Sequence, residues 1–174
     1  MTEIKNSIFE ISIKDNFFKK TLFEKILNNL NYLNWSATGN LYNNNKHPWF
    51  SSILKDPKIE KYIIKEIKKL FNKEIISFKL INYTLVTKVE HPSPHDDLQE
   101  GVDYQLLIYL KGDPLIHNGT GFYIKKENNS ILNTHVGFYE NRAIFFKAGI
   151  IHAPLTWVEN SSKRFSIICF LKTK

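Results

Sequence analysis

A chain of 174 residues, 43% hydrophobic and 24% charged, is one domain's worth of ordinary globular protein and is neither disordered nor fibrous. Its formal net charge of +7 is carried by lysines spread along the whole chain, densest between residues 61 and 73 on one predicted helix, which is the pattern of a solvated face and sets nucleic acid aside as a partner. No apolar run spans a bilayer, Glu3 and Lys5 leave no signal-peptide core, and a lone cysteine, Cys169, excludes an internal disulfide, so no membrane contact and a reducing, cytoplasmic setting are expected.

Residues 8–13 alternate apolar and polar side chains as an opening strand does. A helix is predicted over 16–31, with Phe18, Leu22, Ile26 and Leu30 on one face and Asp15 as N-cap. A second helix has Asp56 as N-cap, Pro57 at its first position and Ile59, Ile63, Ile67 and Leu70 as a buried stripe. Between them, residues 34–56 read as a loop with Gly39, an asparagine run and Pro48. Its Trp35, Trp49 and Phe50 either line a substrate mouth or tuck under a sheet. Strands are then predicted over 76–88, 104–110, 121–125, 135–139, 142–146 and 164–171. Two helices followed by a strand-rich run, with no repeat and no linker, predict an α+β fold and a single domain over 1–174. Its scaffold of helices covers about 1–75 and its β core about 76–174. A double-stranded β-helix, the cupin-like jelly roll, fits that inventory, with the helices packed on one sheet.

The chemistry-bearing residues fall in the β core. His95-Asp96-Asp97 places an imidazole and a carboxylate two residues apart, so on an extended segment His95 and Asp97 point the same way and Asp96 points away. A second histidine stands at His152. Two histidines and one carboxylate on one face of a metal suit non-haem Fe(II) and leave open positions. Further on, Arg164 and Ser166 share one strand face and can grip a carboxylate, arginine through its planar fork. Only Arg142 and Arg164 are arginines, and Arg164 heads the apolar run Phe165-Ser166-Ile167-Ile168-Cys169-Phe170-Leu171, where a guanidinium needs a partner. A structural ion pair is the other reading of Arg164. Arg142 reads as an exposed strand or turn charge. His117 belongs to a turn-rich surface loop, His135 to a strand facing either way, and His47 and His91 to loops.

The ordered set resembles the Fe(II)- and 2-oxoglutarate-dependent dioxygenases, in particular the prolyl-4-hydroxylase-like branch and its small relatives. The resemblance covers about residues 77–174. His95-Asp96-Asp97 comes first, then the strand Leu106-Leu107-Ile108-Tyr109-Leu110. Asn118-Gly119-Thr120-Gly121-Phe122 follows, similar to the family's Gly-Gly-x-x-Phe segment with its first glycine replaced by asparagine. The strand Ala143-Ile144-Phe145-Phe146 and Gly149 lead to His152, and Arg164-x-Ser166 closes the series. The resemblance implies iron on His95, Asp97 and His152, and the distal carboxylate of 2-oxoglutarate on Arg164 with Ser166 and Tyr109. It implies hydroxylation of an unactivated C–H bond, since Asp97 stands where related halogenases lack a carboxylate.

Cofactor expectations are therefore Fe(II) and 2-oxoglutarate, with O2 as co-reactant and ascorbate as an optional reductant. The expected substrates are a peptidyl proline, another protein side chain or a free amino acid. Two other readings fit the same residues: a jelly-roll binding module without turnover, which need not hold a metal, and a cupin-like metalloenzyme with no use for Arg164.

Overall fold

The computed structural model describes residues 10–37, 49–87, 94–127, 129–155 and 163–174. Strand β1 (Ile11–Lys14) leads to helix α1 (Lys20–Asn29), which tightens into a 3-10 turn at Leu30–Tyr32. Two strands, β2 (Ser36–Ala37) and β3 (Trp49–Ile53), precede helix α2 (Pro57–Phe71). Seven more strands follow: β4 (Ile75–Val86), β5 (Tyr104–Gly112), β6 (Thr120–Lys126), β7 (Asn129–Val136), β8 (Ala143–Lys147), β9 (His152–Pro154) and β10 (Arg164–Thr173). They form a seven-stranded sheet in the order β1-β8-β5-β10-β4-β3-β2 and a three-stranded sheet in the order β7-β6-β9, with every pairing antiparallel. This is the expected jelly roll, two sheets with the helices on the outer face of the larger one. Among the described residues no helix is long and apolar enough to cross a membrane.

The pleat divides the large sheet's side chains into two sets. Leu106, Ile108 and Leu110 of β5, Ile167, Cys169 and Leu171 of β10, and Ala143 and Phe145 of β8 pack against α1 and α2. The alternate residues Leu107 and Tyr109, Ile144 and Phe146 face the small sheet, where Phe122 and Val136 meet them. Helix α2 supplies Ile59, Ile63 and Ile67 to the outer core at no more than 1% exposure, each contributing about 1.5–3 kcal/mol of burial. Its start is as the sequence predicts, for the Asp56 carboxylate accepts the Lys58 N–H at 2.9 Å and Pro57 opens the first turn. Asn72, left-handed at φ 51°, ends it.

Helix α1 starts later than predicted because Asp15 is not its cap. The Asp15 carboxylate takes two hydrogen bonds from Arg142, at 2.6 Å from Nε and 2.9 Å from Nη2. Asn141 then clamps the chain before the helix, its side chain accepting from the Phe18 N–H and donating to the Phe18 carbonyl, each at 2.8 Å. Arg142 is therefore not an exposed charge. Its side chain is 23% exposed and also donates to the Gly137 carbonyl.

The N-terminal third is not a scaffold of helices alone, since it adds β1 to one edge of the large sheet and β3 and β2 to the other. The segment read as loop over 34–56 thus contributes strand at 49–53, paired with β4 from Trp49↔Val86 to Ile53↔Asn82. Trp35 tucks under the sheet against Phe165, with ring centroids 5.8 Å apart. Strand β7 lies earlier than predicted, ending at Val136. Its residues Asn129 to Asn133 are exposed on a strand hydrogen-bonded on one side, so no buried alternation announced it. The loop placements of His47 and His91 lie outside the described residues.

Asp15→Asn should lower stability by about 1 kcal/mol near neutral pH, the modest figure reflecting a carboxylate 44% exposed to solvent. The hydrogen bond from Arg142 outweighs partial burial and holds the Asp15 carboxyl below its ordinary value. The pair's contribution is thus fully present above the unfolded carboxyl's pKa and disappears as pH falls through the lower folded value. Urea denaturation of both proteins from about pH 7 down to about pH 2 should show the two stabilities converging only at the acid end.

Candidate functional site

Strand β9 is three residues long, and its first residue is held by an isolated antiparallel bridge. The His95 N–H donates to the His152 carbonyl at 3.0 Å, and the His152 N–H donates to the His95 carbonyl at 2.8 Å. Directly paired residues of an antiparallel bridge project to the same side, so the two imidazoles face one volume, their centroids 4.9 Å apart. The Asp97 N–H donates to the Ala148 carbonyl at 3.1 Å and fixes the next alternate residue. One ligand-type atom from each of His95, Asp97 and His152 lies within 4.8 Å of the others. Asp96 points outward, exposed, and its carboxylate accepts the Leu98 N–H at 3.2 Å.

The His152 ring is packed between Phe146 and Phe122, at centroid distances of 5.0 and 6.3 Å, and is 6% exposed. Its Nδ1 lies 2.9 Å from the Ile150 carbonyl oxygen. An oxygen there accepts, which selects the tautomer with the proton on Nδ1 and leaves Nε2 as a lone pair. That Nε2 stands 3.2 Å from Asp97 Oδ2. Two acceptors at that distance need a proton or a cation between them. Burial pushes the Asp97 carboxyl up, but the neighbouring polar groups, His152 first and then His95 and Gln105, outweigh it, so the carboxyl sits below its ordinary value.

A cavity of about 90 Å³ opens beside the cluster. Asp97, Gln105, Thr84, Thr120 and Arg164 supply its polar wall; Trp49, Leu107, Ile168 and Phe170 are among its apolar lining. It has room for on the order of half a dozen water-sized groups. A wider surface depression of about 850 Å³ near the start of α1 includes none of the three ligand-type residues.

Arg164 is 4% exposed at the cavity wall, with its guanidinium carbon 5.2 Å from the centre of the Tyr109 ring. Nη1 donates to the Gly119 carbonyl at 2.6 Å, and the Asn118 carbonyl lies at 3.5 Å. Burial pushes the guanidinium below its ordinary value, with the Tyr109 hydroxyl opposing. The turn that supplies those carbonyls is tightly fixed. A Cβ on Gly119 would collide with the Val136 carbonyl oxygen, and the Asn118 amide donates to the Asp113 carbonyl at 2.9 Å.

Ser166 lies one alternate position along β10 from Arg164, between Thr84 on β4 and Tyr109 on β5. Ser166 Oγ and Thr84 Oγ1 are both buried with no hydrogen-bond partner among the described residues. Tyr109 is fully buried, and its hydroxyl is 2.7 Å from Thr120 Oγ1 and 3.4 Å from the Val136 carbonyl. It reaches the cavity through Thr120, which lines it, rather than directly.

The sequence reading missed Thr84, Thr120 and Gln105, whereas Trp49, read as lining a substrate mouth or tucking under a sheet, lines the cavity. Trp49 sets its ring 6.4 Å from that of His95, edge to face. The other two described histidines, His117 and His135, stand outside the cluster. Both are half-buried, and His135 is held below its ordinary value first by burial and then by His117.

The donor set fits a divalent cation held by two imidazoles and a carboxylate. The buried guanidinium with two unsatisfied hydroxyls beside it fits an anion rich in acceptor oxygens. No family model matches the chain, and no curated protein matches it in sequence. Solved structures share its fold. A prolyl hydroxylase from Trichoplax adhaerens, in complex with a hypoxia inducible factor peptide fragment, is 14% identical at TM-score 0.64, covering 95% of this chain and 85% of its own. HygX from Streptomyces hygroscopicus, with nickel and 2-oxoglutarate bound, is 10% identical at TM-score 0.68, covering 95% and 84%. A prolyl-4-hydroxylase from Pseudomonas putida is 10% identical at TM-score 0.62, covering 95% of each chain. Fold is what these likenesses establish.

An unsatisfied buried hydroxyl is costly, so Thr84→Val should leave the ligand-free protein as stable as before or stabilise it by about 1 kcal/mol. Chemical denaturation in the absence of metal and anion checks this. A loss above about 1 kcal/mol would show that Thr84 makes a hydrogen bond the fold needs.

Proposed function

We propose that the chain is an Fe(II)- and 2-oxoglutarate-dependent dioxygenase, a single catalytic domain that hydroxylates an unactivated C–H bond of a peptidyl or free amino acid. The observation that carries this reading is the joint one. The ligand-type atoms of His95, Asp97 and His152 converge within 4.8 Å, and the same cavity has a buried arginine in its wall. A cupin-like site without the cosubstrate would not need Arg164, and a binding module would not need the convergence. The fold's neighbours add support, since one is described with nickel and 2-oxoglutarate and another with a peptide.

In this reading His95, Asp97 and His152 hold the iron, with the His152 tautomer set by the Ile150 carbonyl. Arg164 holds the far carboxylate of 2-oxoglutarate, with Ser166 and Thr84 as hydroxyl donors. Tyr109 steadies Thr120, whose own hydroxyl proton is then directed away from Tyr109. Bound iron with 2-oxoglutarate supplies the oxygen activation and the C–H oxidation, while the protein supplies orientation and a water-poor cavity. Leu107, Ile168 and Phe170 exclude water along the wall. Trp49, beside His95, meets whatever approaches the cluster from that side.

Succinate release with Fe(II), ascorbate and a panel of prolyl peptides and amino acids tests the reading, together with a product one oxygen atom heavier. Absence of 2-oxoglutarate binding to the metal-loaded protein would overturn it. His95→Ala, Asp97→Ala and His152→Ala should each abolish metal retention at micromolar concentration and all turnover, whereas Asp96→Ala should keep both, because its side chain faces solvent. Equal losses from Asp96 and Asp97 changes, measured by Mn(II) titration, would move the carboxylate assignment.

Arg164→Lys keeps the charge and loses the fork. Truncating a buried charge pair costs about 2–5 kcal/mol, so the affinity for 2-oxoglutarate should fall at least about tenfold while metal affinity is unchanged. Ser166→Ala should move it in the same direction by less. Calorimetry on the Mn(II) form reads both. Unaltered cosubstrate affinity in a folded Arg164→Lys protein would make the arginine structural.

A further inference from the structure

Trp49 opens β3 with its indole half-buried at the cavity, the ring 6.4 Å from that of His95 and edge to face. Its cross-strand partner on β4 is Val86, and Val86 is in turn paired with Arg164 on β10. Directly paired residues of antiparallel strands project to the same side, so indole, isopropyl group and guanidinium form one row on the inner face of the large sheet. Two strand spacings, about 10 Å, separate the backbones at its ends. The guanidinium end and the indole end of the cavity are therefore distinct, and His95 stands beside the indole. Packing for the fold's sake does not account for this placement. Trp49 and Val86 form an apolar cluster of their own and belong to neither of the two large cores, whereas Trp35 packs into the outer one.

We propose that Trp49 is a specificity-determining residue: its indole, with Val86, holds an uncharged aliphatic side chain of the substrate beside the His95–Asp97–His152 cluster, on the side away from Arg164. The proposal rests on the dioxygenase reading of the site and narrows its substrate class. In that reading the three donors take the cation, and Arg164 with Ser166 and Thr84 takes the anion. An indole and an isopropyl group then offer a third guest an apolar surface, which favours groups that leave water at no electrostatic cost. A lysyl ammonium over the same ring gains a cation–π attraction, but it would stand beside the divalent ion that His95 holds, and like charges repel there. An aspartyl carboxylate has no such repulsion and loses its hydration against hydrocarbon instead. Prolyl and leucyl side chains meet neither penalty.

The probes are the N-acetyl amides of proline, leucine, lysine and aspartate, titrated into protein loaded with Zn(II) and 2-oxoglutarate. Nuclear magnetic resonance follows the indole N–H signals, that of Trp49 being the one missing from Trp49→Phe. The proline or the leucine amide should shift the Trp49 signal saturably, and the lysine and aspartate amides should leave it in place at the same concentration. On backbone amide signals, Trp49→Ala should bind the neutral amide at least about tenfold more weakly, with Mn(II) and 2-oxoglutarate affinities within about twofold of the unaltered protein's. Trp49→Phe keeps a ring and should show a smaller loss of the same kind, which carries the comparison if Trp49→Ala does not fold. Charged amides that shift the signal as strongly as neutral ones overturn the proposal. So does a folded Trp49 variant that loses Mn(II) affinity, since the indole would then be a support for His95. A loaded protein whose Trp49 signal no neutral amide moves overturns this inference alone. Failure to take up 2-oxoglutarate at all overturns the dioxygenase reading first, and this inference with it.

Discussion

The site depends on one pair of backbone hydrogen bonds. His95 and His152 each donate to the other's carbonyl, at 3.0 and 2.8 Å, in a bridge that belongs to no longer ladder on that side among the described residues. On its other side β9 is zipped to β6, from Phe122↔His152 to Thr120↔Pro154. The bridge thus extends the small sheet by a single residue and carries the segment with Asp97 along with it. Were it broken, the His152 ring would stay between Phe122 and Phe146, while His95 and Asp97 would be left to a segment tied through Ala148. The convergence of three side chains from two distant parts of the chain is a consequence of backbone pairing, and the side chains themselves need only be of the right type.

The second constraint is the pleat of β10. Along that strand Arg164 and Ser166 turn inward, while Phe165, Ile167 and Cys169 turn to the helices. Both sets are extensively buried, so the strand has no solvent face to give it slack. A slip of one residue against β4 or β5 would exchange a guanidinium for a phenyl ring and place the charge against Trp35. The outer core, with its buried isoleucines and the stacked rings of Phe71, Phe145 and Tyr104, holds the register. The Arg164 guanidinium is in this sense positioned by the packing of the opposite sheet face.

What the sequence made legible was whatever depends on near neighbours. The period of two in His95-Asp96-Asp97 separates Asp97 from Asp96, and the structure places them as that period requires. Helix α2 was legible because Asp56, Pro57 and the isoleucine stripe all act within it. Helix α1 was misplaced at its start because Asp15 is claimed by Arg142, 127 residues away, and no local pattern carries that competition. Strand β3 was hidden by the asparagine run and Pro48 before it, though pairing with β4 decided its state. Thr84, Thr120 and Gln105 went unread for the same reason. A polar residue on a half-buried strand reads as a solvent-facing position until the opposite sheet is known to cover it.

The polar interior of this cavity runs against the fold's own stability. Among the described residues Ser166 and Thr84 keep hydroxyls unsatisfied, Gln105 keeps a carbonyl unsatisfied, and an imidazole lone pair confronts a carboxylate. Each arrangement is unfavourable by the rule that buried polar groups find partners. In the proposed reading a cation among the three donors and an oxygen-rich anion along the wall relieve the lone pair and the two hydroxyls. Whatever binds there selectively stabilises the folded chain by mass action, so ligand binding and folding are coupled. Core residues can be exchanged for others of similar volume, whereas a donor set or a guanidinium fork has few chemical substitutes.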